Sequence, residues 1–272
     1  MTTLIRTEWL KMKKYNAFWW ILGLTALSYP GINYIFYMVY DNLVNQPSEI
    51  GQAAKMLVGN PFTFPEVWHT VAYFSSWFVF IPAVIVIMFI TNEYTFRTHR
   101  QNIIDGWSRS QFITSKLVDV LLITGLITVL YFAVSFVSGI TSQSRLIQNT
   151  WGQVYYIGLF ALQTFAQLSV AFLIGFLVKK AFIALGIFIF YFMIFEPIIV
   201  GLLKVYGNDA GRFMPLEISD RIVPVPAFLG KIDIESYKKS LDAIQLHVIL
   251  TIIITAVIWL ICYRINSRRD LK

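Results

Sequence analysis

The stretch NEYTFRTHRQNIIDGWSRSQF, residues Asn92–Phe112, decides how the rest of the chain is understood. It follows an apolar run, Trp68–Thr91, that carries no formal charge, and it precedes another, Leu117–Gly139, that carries one. About 20 mostly apolar residues are enough for a helix to cross a bilayer. A polar, basic and amphipathic segment therefore lies between two predicted membrane spans.

The composition is that of a membrane protein. Hydrophobic residues make up 57% of the chain and charged residues 14%, with a mean hydropathy of +0.64; soluble domains average about 45–50% and about 25%. The net charge of +7 does not indicate nucleic acid as a partner, because the basic residues fall at the ends of apolar runs, as the positive-inside rule predicts. The single cysteine, Cys262, excludes a disulfide framework and a cysteine-based zinc site.

Six segments are long and apolar enough to cross a bilayer, and they predict an all-α polytopic membrane protein. They are Ala17–Tyr40, Trp68–Thr91, Leu117–Gly139, Trp151–Val178, Ala181–Leu203 and Ala243–Tyr263. Only Asp119 and Glu196 are acidic within them, and irregular backbone cannot face lipid, so helices are expected throughout. We expect a transmembrane domain at residues 17–264 and a cytoplasmic tail at 265–272.

The basic residues favour an orientation with both termini in the cytoplasm. Of the 22 Lys and Arg residues, 14 then lie on the cytoplasmic side. Asn92–Phe112 becomes a cytoplasmic loop, Lys179–Lys180 a tight cytoplasmic hairpin, and 204–242 the largest external segment. Pro224 and Pro226 prevent a regular helix in part of that segment. Short helices that rest on the outer leaflet are expected there.

Residues 1–16 predict an amphipathic helix in the inner membrane interface. Ile5, Trp9 and Met12 recur at helical spacing, and basic residues occupy the other faces. The alternative is a basic flank that only sets the topology.

Motifs for enzyme chemistry are missing. The sequence contains no G-x-x-x-x-G-K-[ST] phosphate loop, no H-E-x-x-H and no G-x-S-x-G. His69, His99 and His247 lie on three different segments, so a zinc site is not expected. We therefore assign no catalytic, cofactor-binding or metal-binding residue, and we do not expect the chain to be an enzyme.

The cytoplasmic segment predicts a short amphipathic helix over about residues 96–107. Gly106 suits the end of that helix and Ser108 can cap the next. Its apolar face either rests on lipid or fills a groove on a cytoplasmic partner, and both interpretations remain open. The residues of that face are Phe96, Arg100, Ile103, Ile104 and Trp107.

The same segment resembles the first cytoplasmic loop of ABC-2 type transporter permeases. The shared pattern is E-Y-x-x-x-T-x-R-x-x-I-I-x-G-x-S-R-x-x-F-x-x-S-K. This chain has Arg97 where the family often has Gly directly before the Thr. The matching residues are Glu93, Tyr94, Thr98, Arg100, Ile103, Ile104, Gly106, Ser108, Arg109, Phe112, Ser115 and Lys116.

The resemblance extends to the whole plan of an N-terminal elbow helix, six spans, a coupling helix in loop 92–112 and a long external loop. It implies the permease subunit of an ATP-driven ABC transporter, most often an exporter, in the plasma or inner membrane. ATP and Mg²⁺ would sit on a separate ATP-binding subunit, so this chain would hold no cofactor. A second permease, identical or related, would complete a homodimer or heterodimer in the lipid bilayer. The residues implied in ATPase coupling are Glu93, Thr98, Arg100, Ile103, Ile104, Trp107 and Arg109.

Polar stripes follow the third and fourth predicted spans. A polar stripe that faced lipid would be costly, so both are expected to face protein or water. Hydrogen bonding between helices is the interpretation we favour, and lining of the transport pathway is the alternative. The stripe residues are Thr124, Thr128, Tyr131, Ser135 and Ser138 on one span, and Gln163 and Gln167 on the other.

Charged groups near the span ends are expected to be peripheral. Pro197 predicts a bend in the fifth span that lets Glu196 reach water, with an outer gate as the alternative. Asp119 follows Lys116 by three positions, which indicates a local surface pair. Two other function classes remain open, namely a secondary carrier or channel and a membrane scaffold or sensor. A buried ion-pair network would favour the carrier, and the sequence shows none.

Overall fold

The computed structural model describes residues 2–45, 59–142, 149–207, 209–230 and 233–268, with side chains from residue 6 onward. Every regular element in these ranges is a helix. A π-helical turn, Tyr191–Phe195, joins α8 to α9, and a 3₁₀ turn, Asp209–Phe213, precedes α10. The helices are α1 (Thr2–Lys14), α2 (Asn16–Val44), α3 (Val67–Ser76), α4 (Phe80–Thr95), α5 (Thr98–Ile104), α6 (Arg109–Thr141), α7 (Tyr156–Val178), α8 (Ala181–Phe190), α9 (Glu196–Val205), α10 (Pro215–Asp220), α11 (Ala227–Gly230), α12 (Ile234–Asp242) and α13 (Ile244–Arg268).

The all-α polytopic class is confirmed. Within the described ranges four helices are long and apolar enough to cross a membrane: α6, α7, the continuous Ala181–Val205, and α13. The pair α3 and α4 qualifies as a fifth, broken span. Helix α2 has 29 residues, but Pro30, Asn33 and several tyrosines lower its hydropathy. A sixth span therefore remains a prediction.

The expected unbroken span Trp68–Thr91 is wrong, because α3 and α4 meet at a bend of 52°. The helix is interrupted over residues 77–79. Pro82 has no N–H and cannot bond to the carbonyl of Phe78 four positions earlier. That carbonyl instead accepts from the backbone N–H of Ile81 at 3.0 Å. The chain changes direction at this tighter turn.

Helix α7 lies at the centre of the bundle. It packs against α3, α4, α6, α8, α10 and α13. A Cβ atom at Gly175 would lie 2.6 Å from Cγ2 of Ile90 and 3.4 Å from Cα of Ile87, so the missing side chain permits close packing with α4. Large apolar residues remain exposed on the outside of other helices, including Phe182 at 89% and Trp20 at 81%. These surfaces are suited to lipid.

The segment 204–242 does form short helices, as expected. Helix α10, however, does not rest on a surface, because it packs against α7, α9 and α13. Leu216 and Ile218 of α10 are each only 3% exposed. The expectation of helices lying on the leaflet is therefore wrong for α10, which is part of the bundle.

Helix α1 forms in the predicted place, but its buried face differs from the predicted apolar stripe. Glu8 and Met12 are each 1% exposed, whereas Trp9 is 36% exposed. The side chain of Ile5 lies outside the described part of the chain. Glu8 and Met12 are four positions apart and so share one face of α1, the helix that packs against α6 and α2. The interfacial position of α1 remains a prediction.

Candidate functional site

Five charged side chains meet where α1, α4 and α6 come together beside α5, and we call Glu8, Lys11, Glu93, Lys116 and Asp119 the charge cluster. Nζ of Lys116 lies 2.7 Å from Oε2 of Glu8, 2.8 Å from Oε1 of Glu93 and 3.0 Å from Oδ2 of Asp119. Nζ of Lys11 lies 2.9 Å from Oε1 of Glu8 and 3.1 Å from Oε1 of Glu93. All except Lys11 are at most 5% exposed.

The cluster corrects two expectations. Asp119 and Lys116 do pair, but they are 4% and 2% exposed rather than on the surface. The structure also contains a buried ion-pair network, which the sequence did not reveal. A buried ammonium needs several carboxylate partners because desolvation of a single pair can exceed its Coulomb attraction. Those further partners come from α1 and α4, far away in sequence.

The two lysines of the cluster favour the charged form of Glu8. Burial works to raise the pKa of Glu8, but the adjacent Lys116 and Lys11 hold that pKa below its usual value. Three carboxylates share two ammonium groups, so each cation is surrounded by acceptors. Removal of one partner from such a group leaves an uncompensated buried charge, which costs about 3–5 kcal/mol.

Helix α5 is shorter than the helix predicted over residues 96–107. Arg97 adopts the left-handed conformation, with φ 55° and ψ 19°, and separates α5 from α4. This is the position where the resembled permeases often have Gly, the residue that adopts such angles freely. Gly106 follows the helix with φ 97°. Ser108 caps α6 in a reciprocal pair with Gln111, at 3.2 Å and 2.8 Å, as expected.

The first turn of α5 is fixed to the charge cluster through Glu93. The hydroxyl of Thr98 donates to the Glu93 carboxylate. Nδ1 of His99 lies 3.0 Å from the Glu93 carbonyl oxygen. On the α1 side, Nζ of Lys11 lies 6.0 Å from the ring centre of Trp107, which is half-buried. These contacts and the charge cluster connect α5 to α1, α4 and α6.

The predicted coupling residues divide into an inner and an outward group. Ile104 is 83% exposed, whereas Ile103 and Arg100 are half-buried. Phe96, which belongs to the predicted apolar face but not to the coupling residues, is 71% exposed. Arg109 points to another part of the bundle, because its Nη1 donates to the carbonyl of Ser267 at 2.7 Å. Arg109 thus joins the start of α6 to the end of α13.

The stripe on α6 mostly bonds to its own helix. The hydroxyls of Thr124, Thr128 and Ser135 donate to carbonyl oxygens four positions earlier, at 2.8–2.9 Å. Tyr131 does bridge helices, since its hydroxyl donates to the carbonyl of Trp68 at 2.7 Å. Ser138 lines a cavity of about 550 Å³ between α2 and α6.

The two glutamines of α7 meet a partner that the sequence did not suggest. The Nε2 atoms of Gln163 and Gln167 donate to Oδ1 of Asp220 at 2.8 Å and 2.6 Å. Both glutamines are at most 1% exposed. They hold the end of α10 against α7, so interhelical hydrogen bonding is present on this stripe.

The expectation that Glu196 reaches water is wrong. Its side chain is buried, and Oε1 accepts from the backbone N–H groups of Leu216 and Glu217 at 2.7 Å each. These are free N–H groups at the start of α10, which a helix cannot satisfy by itself. Glu196 and Pro197 follow the π-helical turn and also line a cavity at this end of the bundle.

Two cavities adjoin α10 at the end of the bundle opposite α5, and together we call them the α10 cleft. Their volumes are about 980 Å³ and about 600 Å³. Tyr73, Glu217, Asp220 and Val223 line both. Asp220 remains accessible to solvent inside the cleft, yet the surrounding protein desolvates its carboxylate and raises its pKa to about 7.

A metal centre is not evident at either end. Among the residues that the structure describes, no group of three or more His, Cys, Asp and Glu side chains is arranged to hold a metal ion. His69 is used structurally: Nε2 lies 2.7 Å from the carbonyl oxygen of Pro224, and the ring stacks on Tyr156 at 4.1 Å.

Comparison with known protein families matches residues 4–195 to the ABC-2 family transporter protein. The match covers more than half of the 272 residues and includes α5 and every member of the charge cluster. A search of curated proteins found no matching sequence. Because the family match runs from α1 to the π-helical turn, the chain belongs to the ABC-2 family of transporter proteins and is a membrane permease of an ABC transporter.

Proposed function

We propose that this chain is the permease subunit of an ATP-driven exporter, and that a separate ATP-binding subunit docks on α5. The observation that carries the proposal is the contrast between the two sides of α5. Ile104 is 83% exposed, whereas Thr98 bonds to Glu93 inside the charge cluster. Exposed aliphatic and aromatic anchors supply most of the energy in such contacts.

The contacts behind α5 give a physical route for coupling. The charge cluster ties α5 to α1, α4 and α6, and Arg109 ties α6 to α13. Because these bonds are multiple and mostly buried, the helix ends respond together when the partner pushes or pulls α5. The proposed energy source lies on the partner, which would hold ATP and Mg²⁺.

The remaining features of the proposal rest on the family and on charge placement. The chain works with a second permease, identical or related, in the plasma or inner membrane. Six spans are obtained when α2 and the bent pair α3 and α4 are each counted as one. Helix α1 and the end of α13 lie at the same end as α5, which supports two cytoplasmic termini.

A secondary carrier deserves a direct comparison, because a buried ion-pair network would favour it. The network here joins helix ends beside α5, and Lys116 contacts three carboxylates at once. An ion pathway needs groups along the depth of the membrane that release and rebind their charge. A cluster at one end of the bundle, whose charges pair with several partners, is better suited to connecting helices than to carrying an ion.

The test is recovery of ATPase with the purified permease. We would co-express the tagged chain with a candidate ABC ATP-binding subunit and measure ATPase per permease after mild detergent extraction. Ile104→Asp should lower that ratio at least tenfold, since a carboxylate in an apolar groove is strongly disfavoured. Ile234→Asp is the matched control, because Ile234 is 59% exposed near the α10 cleft. Equal recovery from Ile104→Asp and the parent would refute docking on α5.

A further inference from the structure

We propose that the α10 cleft binds an amphiphilic organic cation, with an ammonium or guanidinium group at Asp220 and an apolar part beside Trp77 and Phe192. The inference deepens the proposed function by giving a substrate class, and it rests on that function for the transport role. The binding step is a property of this chain and can be measured without an ATPase.

Asp220 is one of the carboxylates of the cleft that have no ion pair with a described Lys or Arg. Arg221 pairs with Asp209 at 2.9 Å and with Glu217 at 2.7 Å. Asp233 accepts from Ser236 at the start of α12. Asp220 has two amide donors on Oδ1, and no Lys or Arg of the described chain lies within ion-pair distance.

Two buried acceptor atoms next to Asp220 have no hydrogen-bond donor among the described residues. Oε1 of Gln163 and Oε1 of Gln167 are buried and have no partner within the described ranges. Their Nε2 atoms donate to the Asp220 carboxylate, which fixes Oε1 as the unpaired acceptor in each amide. A buried acceptor without a hydrogen-bond donor is energetically unfavourable.

A further unpaired acceptor lies in the wall of the larger cavity. His247 is 2% exposed and lines that cavity with Asp220. Its Nδ1 lies 2.8 Å from the carbonyl oxygen of Ala243 and must carry the proton there. In the neutral imidazole Nε2 then carries the lone pair, and the described residues offer it no donor. An ammonium, with three N–H donors, or a guanidinium, with five, supplies what this wall lacks.

The smaller cavity selects for an apolar part and a positive charge. Trp77, Phe192 and Val200 line it, and Trp77 is 46% exposed. The charged residues in its described lining are Glu196, Glu217 and Asp220, all acidic. The basic residues Lys204, Arg212, Arg221 and Lys239 line only the larger cavity of the two. A volume of about 600 Å³ falls in the usual range of about 300–1,000 Å³ for ligand pockets.

The probe is octylammonium, and the protein is the full chain in nanodiscs of neutral phosphatidylcholine. Calorimetry would compare the parent with Asp220→Asn, in which the side-chain oxygen can still accept from Gln163 and Gln167. We expect Asp220→Asn to bind octylammonium at least tenfold more weakly. Glu235→Gln removes one charge from exposed α12 and should bind like the parent.

Three further comparisons make the test decisive. Octanoate has an alkyl chain of similar length with the opposite charge, and it should show no binding heat beyond that of empty nanodiscs. Ethylammonium has the same charge with a short alkyl chain, and it should bind much more weakly than octylammonium. Trp77→Ala should weaken the binding of octylammonium and leave the binding of ethylammonium unchanged. This second variant still tests the proposal if Asp220→Asn does not fold. Equal octylammonium affinity in Asp220→Asn, equal affinity in Trp77→Ala, or parent binding no stronger than empty nanodiscs would overturn the proposal. Such a result with normal ATPase recovery would leave the docking function standing.

Discussion

Nζ of Lys116 lies 2.7 Å from Oε2 of Glu8, across 108 positions of sequence. Both side chains are almost fully buried, so each depends on the other for its charge to be compensated. Helix α1 is therefore more than a basic flank that orients the chain. Through Glu8 it contributes to the charge cluster, which holds the ends of α4 and α6 together.

Lys116→Met should destabilise the protein by about 3–5 kcal/mol, because three buried carboxylates would lose their shared cation. Lys14→Met is the control, since Lys14 is exposed and outside the cluster. The measurement is the free energy of unfolding in detergent, with ATPase recovery as a second readout. An unchanged unfolding free energy in Lys116→Met would show that the cluster does not hold these helices together.

Substitutions at Arg97 should separate backbone conformation from charge. Arg97 has φ 55°, a region that costs about 1–2 kcal/mol for most residues and almost nothing for Gly. Arg97→Gly should therefore be neutral or slightly stabilising, while Arg97→Val should destabilise by about 1–2 kcal/mol. Thermal unfolding of both variants checks this, and a destabilised Arg97→Gly would mean that the guanidinium itself matters.

Gly175→Ala should disturb the packing between α7 and α4. The new methyl would lie 2.6 Å from Cγ2 of Ile90, and such overpacking typically costs about 1–3 kcal/mol. Gly186→Ala is the matched control in α8, because no described residue beyond the backbone of its own helix turn lies within 4 Å of the new methyl. It should be neutral or stabilising by up to about 1 kcal/mol. Equal melting temperatures for the two variants would contradict the close approach.

Single cysteines can test the orientation. Cys262 is the sole native cysteine and is buried, so it can be replaced first. Lys238 and Ser267 are both exposed and lie at opposite ends of the bundle. On intact cells an impermeant thiol reagent should label Lys238→Cys and spare Ser267→Cys. Labelling of Ser267→Cys alone would reverse the topology, and with it the side on which α5 can meet ATP.

Local features were predictable from the sequence. Long apolar runs indicated helices because lipid forces the backbone to satisfy its own hydrogen bonds. Ser108 and Gly106 marked the boundaries near α5 because caps and left-handed turns depend on residues a few positions apart. The motif in 92–112 indicated the family that the comparison then confirmed.

The structure was needed wherever a partner is distant in the chain. Lys116 and Asp119 were visible as neighbours, but Glu8 and Glu93 were not visible as the groups that allow them to be buried. For the same reason the sequence did not reveal the hydrogen bond between Gln163 and Asp220, because local spacing does not relate two residues 57 positions apart.

The sequence by itself determined that the chain is a helical membrane permease, because the apolar length of a span and the spacing of a motif both depend on residues close together in the chain. Only the tertiary structure decided which polar groups face one another. It placed Glu196 under the start of α10, broke the second span near Pro82, and left the Asp220 carboxylate without an ion pair among the described residues. Desolvation makes each buried polar group depend on partners from other helices, and helix packing alone brings those partners together.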